Sequence, residues 1–205
     1  LSADGKPLPL KLEGDKKYNL ENTVVLEIQK DKETFVFEDI FDQPVPSLLR
    51  GFSAPVKLYF DYSNSDLALL LANDTDKFNR WEAGQQLMIR VVLEQVNRFQ
   101  QKKPLELSED LLKAFQNILE DSSKNEPALL AQTLSFPSES YLGEIMDAID
   151  VVAVHESRKF VRKQLAKKLH NQFEIIFSEN QEKGTYSIDS ESMGRRSLKN
   201  VCLGY

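Results

Sequence analysis

The stretch that decides the fold runs from residue 47 to residue 87 and reads SLLRGFSAPVKLYFDYSNSDLALLLANDTDKFNRWEAGQQL. In its first half, Val56, Leu58 and Phe60 are separated by single residues, a period of two that is typical of a half-buried strand. In its second half, apolar residues recur three and four positions apart, which is the period of an amphipathic helix. The sequence therefore predicts a change from β to α structure near residues 61–65.

Short alternating segments dominate the chain before that point. They predict four strands, which carry Leu8, Leu10 and Leu12, then Val24, Leu26 and Ile28, then Phe35 and Phe37, and finally Val56, Leu58 and Phe60. The residues between the second and third segments, 30–32, look like a hairpin connection. One or two further strands are possible around Leu20 and around residues 48–49. Since an immunoglobulin-like sandwich has about seven strands, we expect either a small sandwich or the later half of one.

The second part of the chain predicts a series of helices. Ser63 and Asp66 have the spacing of a capping box for a short helix, and Asp76 begins a long helix that reaches about residue 101. Apolar periodicity predicts further helices over 109–120, 127–134 and 138–148, and one long helix over 150–178. Helices joined by short loops, without repeats of identical sequence, suit a curved stack of antiparallel helix pairs.

Composition limits the class of protein. The 205 residues are 41% hydrophobic and 28% charged, as in ordinary globular proteins, with a net charge of −6. The acidic balance argues against nucleic acid as a partner, and no apolar run is long enough to predict a membrane span. The single cysteine, Cys202, excludes an internal disulfide and has apolar neighbours, which favour an inert buried thiol. We expect a cytoplasmic protein.

Five runs of residues resemble the bacterial aminopeptidase N family of zinc metallopeptidases. In chain order they are LRGFSAPV (49–56), NDTDKFNRWEA (73–83), FPSE (136–139), ESRKFVR (156–162) and GRRSLKNVCL (194–203). The resemblance implies an α+β fold, with a partial immunoglobulin-like β domain over residues 1–62 and a helical-repeat domain over 63–205. It places the chain after the catalytic domain of its parent, so we expect a piece of a longer protein.

The chain carries no catalytic signature of that family. Residues 155–159, HESRK, begin like the zinc motif H-E-x-x-H, in which two histidines one turn apart bind the metal and the glutamate acts as general base. Here Lys159 puts a cation where the second ligand belongs. His170, the other histidine, is too far along the same predicted helix to share a metal with His155. We therefore predict no catalytic, cofactor-binding or metal-binding residue, and zinc in the parent enzyme alone.

Two polar features have competing interpretations. The predicted helix after residue 150 carries a basic face, whose members are Arg158, Lys159, Arg162, Lys163, Lys167 and Lys168. It could bind anionic lipid or nucleic acid or line a charged channel; we favour a solvated face, or one paired with acidic neighbours such as Asp147, Asp150 and Glu156. In the segment FNRWEA (78–83), Phe78 and Trp81 favour helix packing over ligand binding. Arg80 and Glu82 would then make local polar contacts.

Two hypotheses for function follow. The first is a non-catalytic part of a zinc aminopeptidase that removes N-terminal residues from peptides. Its partners would be the catalytic domain of the same parent chain and, in the parent, peptide substrates. The second is a free-standing scaffold, a β module with helical repeats, that binds a protein partner. The first requires H-E-x-x-H upstream of Leu1, whereas the second predicts a complete β domain and a complete terminal helix, each with a polar outer cap.

Overall fold

A computed structural model of the chain describes residues 1–14, 22–122, 126–182 and 184–205. A small β part comes first and a stack of helices follows it, as the period change predicts. The described residues after position 63 form eight α-helices: α1 (Asn64–Asn73), α2 (Lys77–Gln100), α3 (Glu109–Glu120), α4 (Pro127–Leu134), α5 (Glu139–Glu144), α6 (Val151–Lys168), α7 (His170–Glu179) and α8 (Ser190–Gly204). In the part of the chain with described coordinates, no helix is long and apolar enough to cross a membrane.

The β part is smaller than the alternation of its sequence predicts. Strand β1 (Lys11–Leu12) pairs antiparallel with β2 (Phe37–Glu38), and this is the one sheet in the described residues. The segments 24–28 and 56–60, predicted as strands, have no ladder there, because a strand forms only where a neighbour receives its backbone hydrogen bonds. Val25 and Ile28 are accordingly 80% and 74% exposed. The possible strand around Leu20 lies outside the described residues.

The predicted hairpin at residues 30–32 is a bend. The Gln29 backbone N–H donates to Glu33 Oε2 at 2.8 Å, so this hydrogen bond spans the bend. No strands flank this bend within the described ranges, so the predicted hairpin does not form there.

Side-chain caps fix where the first two long helices begin. Ser63 Oγ accepts the Asp66 N–H at 3.1 Å, and Asp66 Oδ2 accepts the Ser63 N–H at 2.9 Å, so the predicted capping box is present. Asp76 Oδ1 accepts the Asn79 N–H at 2.9 Å and begins α2 in the same way. Such caps satisfy backbone N–H groups that have no partner inside a helix.

The long helix predicted over 150–178 is two helices. The break falls at Leu169, whose ψ of 22° departs from helical geometry and separates α6 from α7. Leu169, Phe173 and Ile176 are all buried, and α7 packs on α8 and α3. No proline or glycine stands at the break, so the sequence does not indicate it. We attribute the break to the packing of α7 against helices that are distant in sequence.

Two glycines let helices approach closely. A Cβ on Gly84 would lie 2.8 Å from Leu71 Cδ1, where α1 crosses α2. A Cβ on Gly194 would lie 3.0 Å from the Ala128 backbone nitrogen, where α4 meets α8. These contacts bring α1, α2, α4 and α8 into one core.

An aromatic cluster joins the last helices to α3. The Tyr205 ring stacks on Phe173 with centroids 4.4 Å apart and meets Phe115 and Phe136 edge-on at 6.2 and 6.3 Å. Its hydroxyl donates to the Leu134 carbonyl at 2.6 Å, and burial raises the pKa of that hydroxyl well above its ordinary value. The cluster therefore combines apolar burial with a satisfied polar group.

A buried ion pair ties the end of the β part to the turn between α1 and α2. Arg50 Nη1 donates to Asp74 Oδ1 at 2.6 Å, and the Asp74 side chain is fully buried. Arg50 also donates to Ser47 Oγ at 3.0 Å and to Thr75 Oγ1 at 2.8 Å. The Asp76 N–H donates to Asp74 Oδ1 at 2.9 Å. Oδ1 of Asp74 thus accepts hydrogen bonds from both sides of this contact. We call the contact between residues 47–50 and residues 74–76 the joint.

Further hydrogen bonds across the joint come from the start of α2. Asn79 Nδ2 donates to Ser47 Oγ at 2.9 Å and to the Leu48 carbonyl at 2.8 Å. The Gly51 N–H donates to Asp76 Oδ2 at 2.9 Å. The carboxylate of Asp76 therefore caps α2 with one oxygen and holds the turn at residue 51 with the other.

The turn held by the joint contains backbone strain. Leu49 and Phe52 have φ of 54° and 55°, in the left-handed region that branched and bulky residues seldom adopt. Gly51, at 61°, adopts the same region without a Cβ penalty. Strain of this kind persists where surrounding contacts over-determine the backbone, and the joint supplies those contacts.

We expect Asp74→Ala to lower the free energy of unfolding by about 1.5–3 kcal/mol, the usual range for hydrogen bonds to a charged group. Chemical denaturation of the purified chain measures it. Lys6→Ala is the matched control, because Lys6 and Asp4 form an ion pair in which both side chains are mostly exposed; such pairs contribute about 0–1 kcal/mol. Equal losses in the two variants would contradict a structural role for the joint.

Ser157 gives a prediction of opposite sign. It is fully buried, and among the residues that the structure describes its Oγ has no hydrogen-bond partner. Since an unsatisfied buried hydroxyl costs free energy and alanine is the better helix former, we expect Ser157→Ala to leave the melting temperature unchanged or to raise it. Ser138→Ala should instead cost about 1 kcal/mol, because Ser138 Oγ accepts the Tyr141 N–H and begins α5. A lower melting temperature for Ser157→Ala would contradict this account.

Cys202 should be unreactive in the folded chain. The residue is 5% exposed, and burial raises the pKa of its thiol to about 11. Because the thiolate is the reactive form, we expect a disulfide reagent at pH 8 to label the thiol after unfolding in denaturant and not before. Rapid labelling of the native chain would show that α8 opens readily.

Candidate functional site

The zinc-like run at residues 155–159 lies on α6, with the His155 and Lys159 side chains exposed and Ser157 buried. His155 Nδ1 lies 3.1 Å from Glu139 Oε1 of α5, and Lys159 Nζ lies 3.5 Å from Glu156 Oε1. His170 begins α7, on a different helix from His155, and its Nε2 is 4.0 Å from Glu174 Oε2. Among the residues with described positions, no group of three His, Cys, Asp or Glu side chains is placed to hold a metal ion.

The basic face of α6 divides into two sets. Arg158 Nε donates to the Pro137 carbonyl at 2.8 Å. Arg162 Nη2 donates to the Gly204 carbonyl at 2.7 Å, with its guanidinium 5.3 Å above the Tyr205 ring. These two arginines stabilise helix contacts. The remaining members are exposed lysines, in agreement with a mainly solvated face.

A groove lies between α2 and α4 on the described surface. Its volume is about 650 Å³, within the range of small-ligand sites. One wall comes from the first turns of α2 and the other from α4 with the residues that follow it. The lining residues are Lys77, Phe78, Trp81, Gln85, Leu129, Gln132, Ser135 and Phe136. We call it the Trp81 groove.

Aromatic rings form one side of the Trp81 groove and continue beyond it. The Phe78 and Trp81 ring centroids are 5.7 Å apart, and Phe52 lies 4.4 Å from Phe78. Phe52 and Phe78 are 70% and 40% exposed. The start of α2 therefore leaves Phe78 partly in solvent beside the strained turn, while its ring packs on Phe52 and Trp81.

The rest of the FNRWEA segment behaves as the sequence predicts. Arg80 Nε donates to the Leu71 carbonyl at 2.9 Å, and Glu82 Oε1 accepts from Gln86 Nε2 at 2.9 Å. Ala83 is buried. One face of the segment thus fixes α2 in the core, while the face with Phe78 and Trp81 lines the groove.

Two of the polar residues that line the groove have partners. Gln85 Nε2 donates to the Ser135 carbonyl at 3.0 Å and bridges the two walls. Lys77 Nζ lies 2.7 Å from Glu126 Oε1, and both side chains are mostly exposed. In the described parts of the chain nothing accepts from the Trp81 indole N–H, and the side-chain amide of Gln132 has no hydrogen bond there. The site can therefore offer aromatic surface together with free donors.

Sequence analysis does not identify the second wall. Leu129, Gln132 and Ser135 belong to a short helix and its end, with no motif that indicates binding. Their position opposite Trp81 follows from the packing of α4 on α2 and α8. The aromatic residues at positions 78 and 81 were the one signal that the sequence offered for this site.

Two protein families match this chain, in the same order as the β part and the helical part described above. A family described as a domain of unknown function (DUF3458_C), ARM repeats, matches residues 64–205, and one described as DUF3458, Ig-like fold, matches residues 6–61. The fold class is thereby confirmed: an Ig-like part followed by helical repeats.

Curated relatives give the same result. Aminopeptidase N of Escherichia coli K12 is 35% identical over 202 residues, 98% of this chain and 22% of that protein. The Caulobacter vibrioides and Haemophilus influenzae aminopeptidases N are 36% and 34% identical, over 89% and 88% of this chain and 21% of each relative. The chain thus spans about a fifth of the length of these relatives.

A solved structure also resembles the fold. Legionella pneumophila aminopeptidase A, crystallised with aspartic acid, superposes with a TM-score of 0.65 at 32% identity, covering 83% of this chain and 21% of that one. Together with the family match over residues 64–205, these findings show that the chain belongs to the DUF3458 family and is homologous to the C-terminal region of bacterial aminopeptidase N.

Proposed function

We propose that this chain is a non-catalytic part of a zinc-dependent aminopeptidase that removes N-terminal residues from peptides. The observation that carries the proposal is 35% identity to aminopeptidase N over 98% of the chain. The sequence itself contains no H-E-x-x-H run, so the histidine pair and glutamate that hold and use zinc in such motifs would belong to a preceding part of the parent. Division between residues 62 and 63 into an immunoglobulin-like and a helical-repeat domain is part of the same proposal.

Within that enzyme, we propose that the chain packs against the catalytic domain and helps to enclose its substrate cavity. Exposed apolar side chains in the β part support this role, since large exposed apolar surface marks interaction sites. Val25, Ile28 and Phe41 are 80%, 74% and 94% exposed. A peptidase domain packed over them would remove this surface from water and stabilise the assembly.

In this arrangement the chain would support catalysis by positioning part of the cavity, without taking part in the chemistry. The joint and the helix stack would hold one wall of the cavity at a fixed position, so that peptides of limited size reach the metal. Zinc would supply the activated water that attacks the peptide carbonyl, and no residue of this chain takes part in that step. We propose the cytoplasm as its location, in keeping with one buried cysteine and an acidic balance.

The proposal predicts a difference between the chain and its parent. The purified 205-residue chain should neither bind zinc stoichiometrically nor hydrolyse amino-acid anilides, whereas the parent, with H-E-x-x-H upstream of Leu1, should do both. Metal analysis and a chromogenic assay on the two proteins measure this. Zinc-dependent turnover by the chain alone, or a parent gene without the motif, would refute the proposal.

A further inference from the structure

The Trp81 groove has no task in the function proposed above. We propose that it binds an uncharged, extended peptide segment by taking one large apolar side chain between its walls. This inference rests on the proposed function, because an aminopeptidase would have peptides near this surface and they are the ligands that we consider. The binding itself follows from four features of the groove.

The first feature is apolar surface that remains accessible. Phe78 is 40% exposed, and Trp81, Leu129 and Phe136 are each partly exposed along the groove. Aromatic and branched residues on facing walls give a side chain such as phenylalanine or leucine contact on both sides. An apolar side chain gains free energy there by leaving water.

The second feature is a set of hydrogen-bond donors without partners. In the described residues, the Trp81 indole N–H and the Gln132 side-chain amide make no hydrogen bond, and Gln85 uses its amide on the Ser135 carbonyl. Indole has a donor and no acceptor. A ligand that supplies carbonyl oxygens beside an apolar side chain satisfies these donors, and a peptide backbone does so at every residue.

The third feature is the charge of the groove. Of the residues that line it, Lys77 alone is ionised, and its ammonium lies 2.7 Å from the Glu126 carboxylate. The pair leaves the groove close to neutral, while the chain as a whole carries −6. Anionic ligands are disfavoured by that net charge, and a free ammonium or carboxylate finds no unpaired opposite charge in the groove. An uncharged segment is therefore the matching partner.

The fourth feature is rigidity. Asp76 caps α2 beside Lys77, Phe52 supports the Phe78 ring at 4.4 Å, and Gln85 bridges the walls. Groups held in place before binding lose little conformational freedom when a ligand arrives. The groove is thus preorganised by contacts that do not depend on any ligand.

The test uses the intrinsic fluorescence of the full 205-residue chain, because Trp81 is its single tryptophan. The probe is an acetylated and amidated pentapeptide with phenylalanine at its centre and alanine elsewhere, titrated at constant protein concentration. The matched peptide has serine at its centre. We expect a saturable change in emission with the phenylalanine peptide and at least tenfold weaker binding of the serine peptide.

Variants locate the binding. Phe78→Ala and Gln132→Ala should each weaken binding of the phenylalanine peptide about tenfold, while Ile175→Ala, an exposed position on α7, should leave it unchanged. Thermal melts of each variant show that the fold is retained. Absence of saturation, equal binding of the two peptides, or equal losses in all three variants would overturn the proposal.

Two other outcomes are decisive. If emission changes on dilution of the chain without peptide, and sedimentation shows a dimer, the groove is occupied by a second copy and the peptide proposal fails. Because the probe is blocked at both ends, its binding does not depend on zinc or on hydrolysis. Peptide binding by a chain whose parent gene lacks H-E-x-x-H would sustain the groove proposal while refuting the aminopeptidase role.

Discussion

The contact between Arg50 and the buried carboxylate of Asp74 is the constraint on which the rest of the structure depends. A carboxylate with no exposed surface is costly unless it is paired and hydrogen-bonded, and here one oxygen receives both the guanidinium and a backbone N–H. Because those donors come from the end of the β part and from the turn before α2, this contact sets their relative positions. The strained turn at residues 49–52 persists because the joint holds it.

That constraint extends to the surface. With the turn held, Phe52 meets Phe78 at 4.4 Å, and Phe78 meets Trp81 at 5.7 Å, so a buried ion pair fixes a row of partly exposed rings. The same helix start carries Asp76, which serves both the cap of α2 and the Gly51 N–H. The start of α2, which forms one wall of the groove, is therefore hydrogen-bonded to the joint. Its opposite wall depends on a different contact, the packing of α4 against α8 at Gly194.

The helical part was predictable in detail where signals were local. The capping box at Ser63 and Asp66, the start of α2 at Asp76 and the bounds of α3 follow from residues within one turn of each helix end. The division of the last long helix at Leu169 was not predictable, since it arises from α7 packing on α3 and α8. In the β part, the alternation at 24–28 and 56–60 wrongly predicted half-buried strands: Ile28 and Val56 are exposed, and a strand also requires a hydrogen-bonding neighbour, which sequence period cannot supply.

The sequence by itself determined the family resemblance, the order of the β part and the helical part, and the absence of a zinc motif. Each of these can be recognised from short runs of neighbouring residues. It also showed that Lys159 stands where a second histidine would be needed. Only the tertiary structure decided that Phe78 faces solvent, that Arg50 reaches Asp74 across 24 residues, and that α4 stands opposite Trp81. Those outcomes depend on contacts between residues that are far apart in sequence. No local sequence pattern connects such residues, so the sequence alone does not predict which of them pack together.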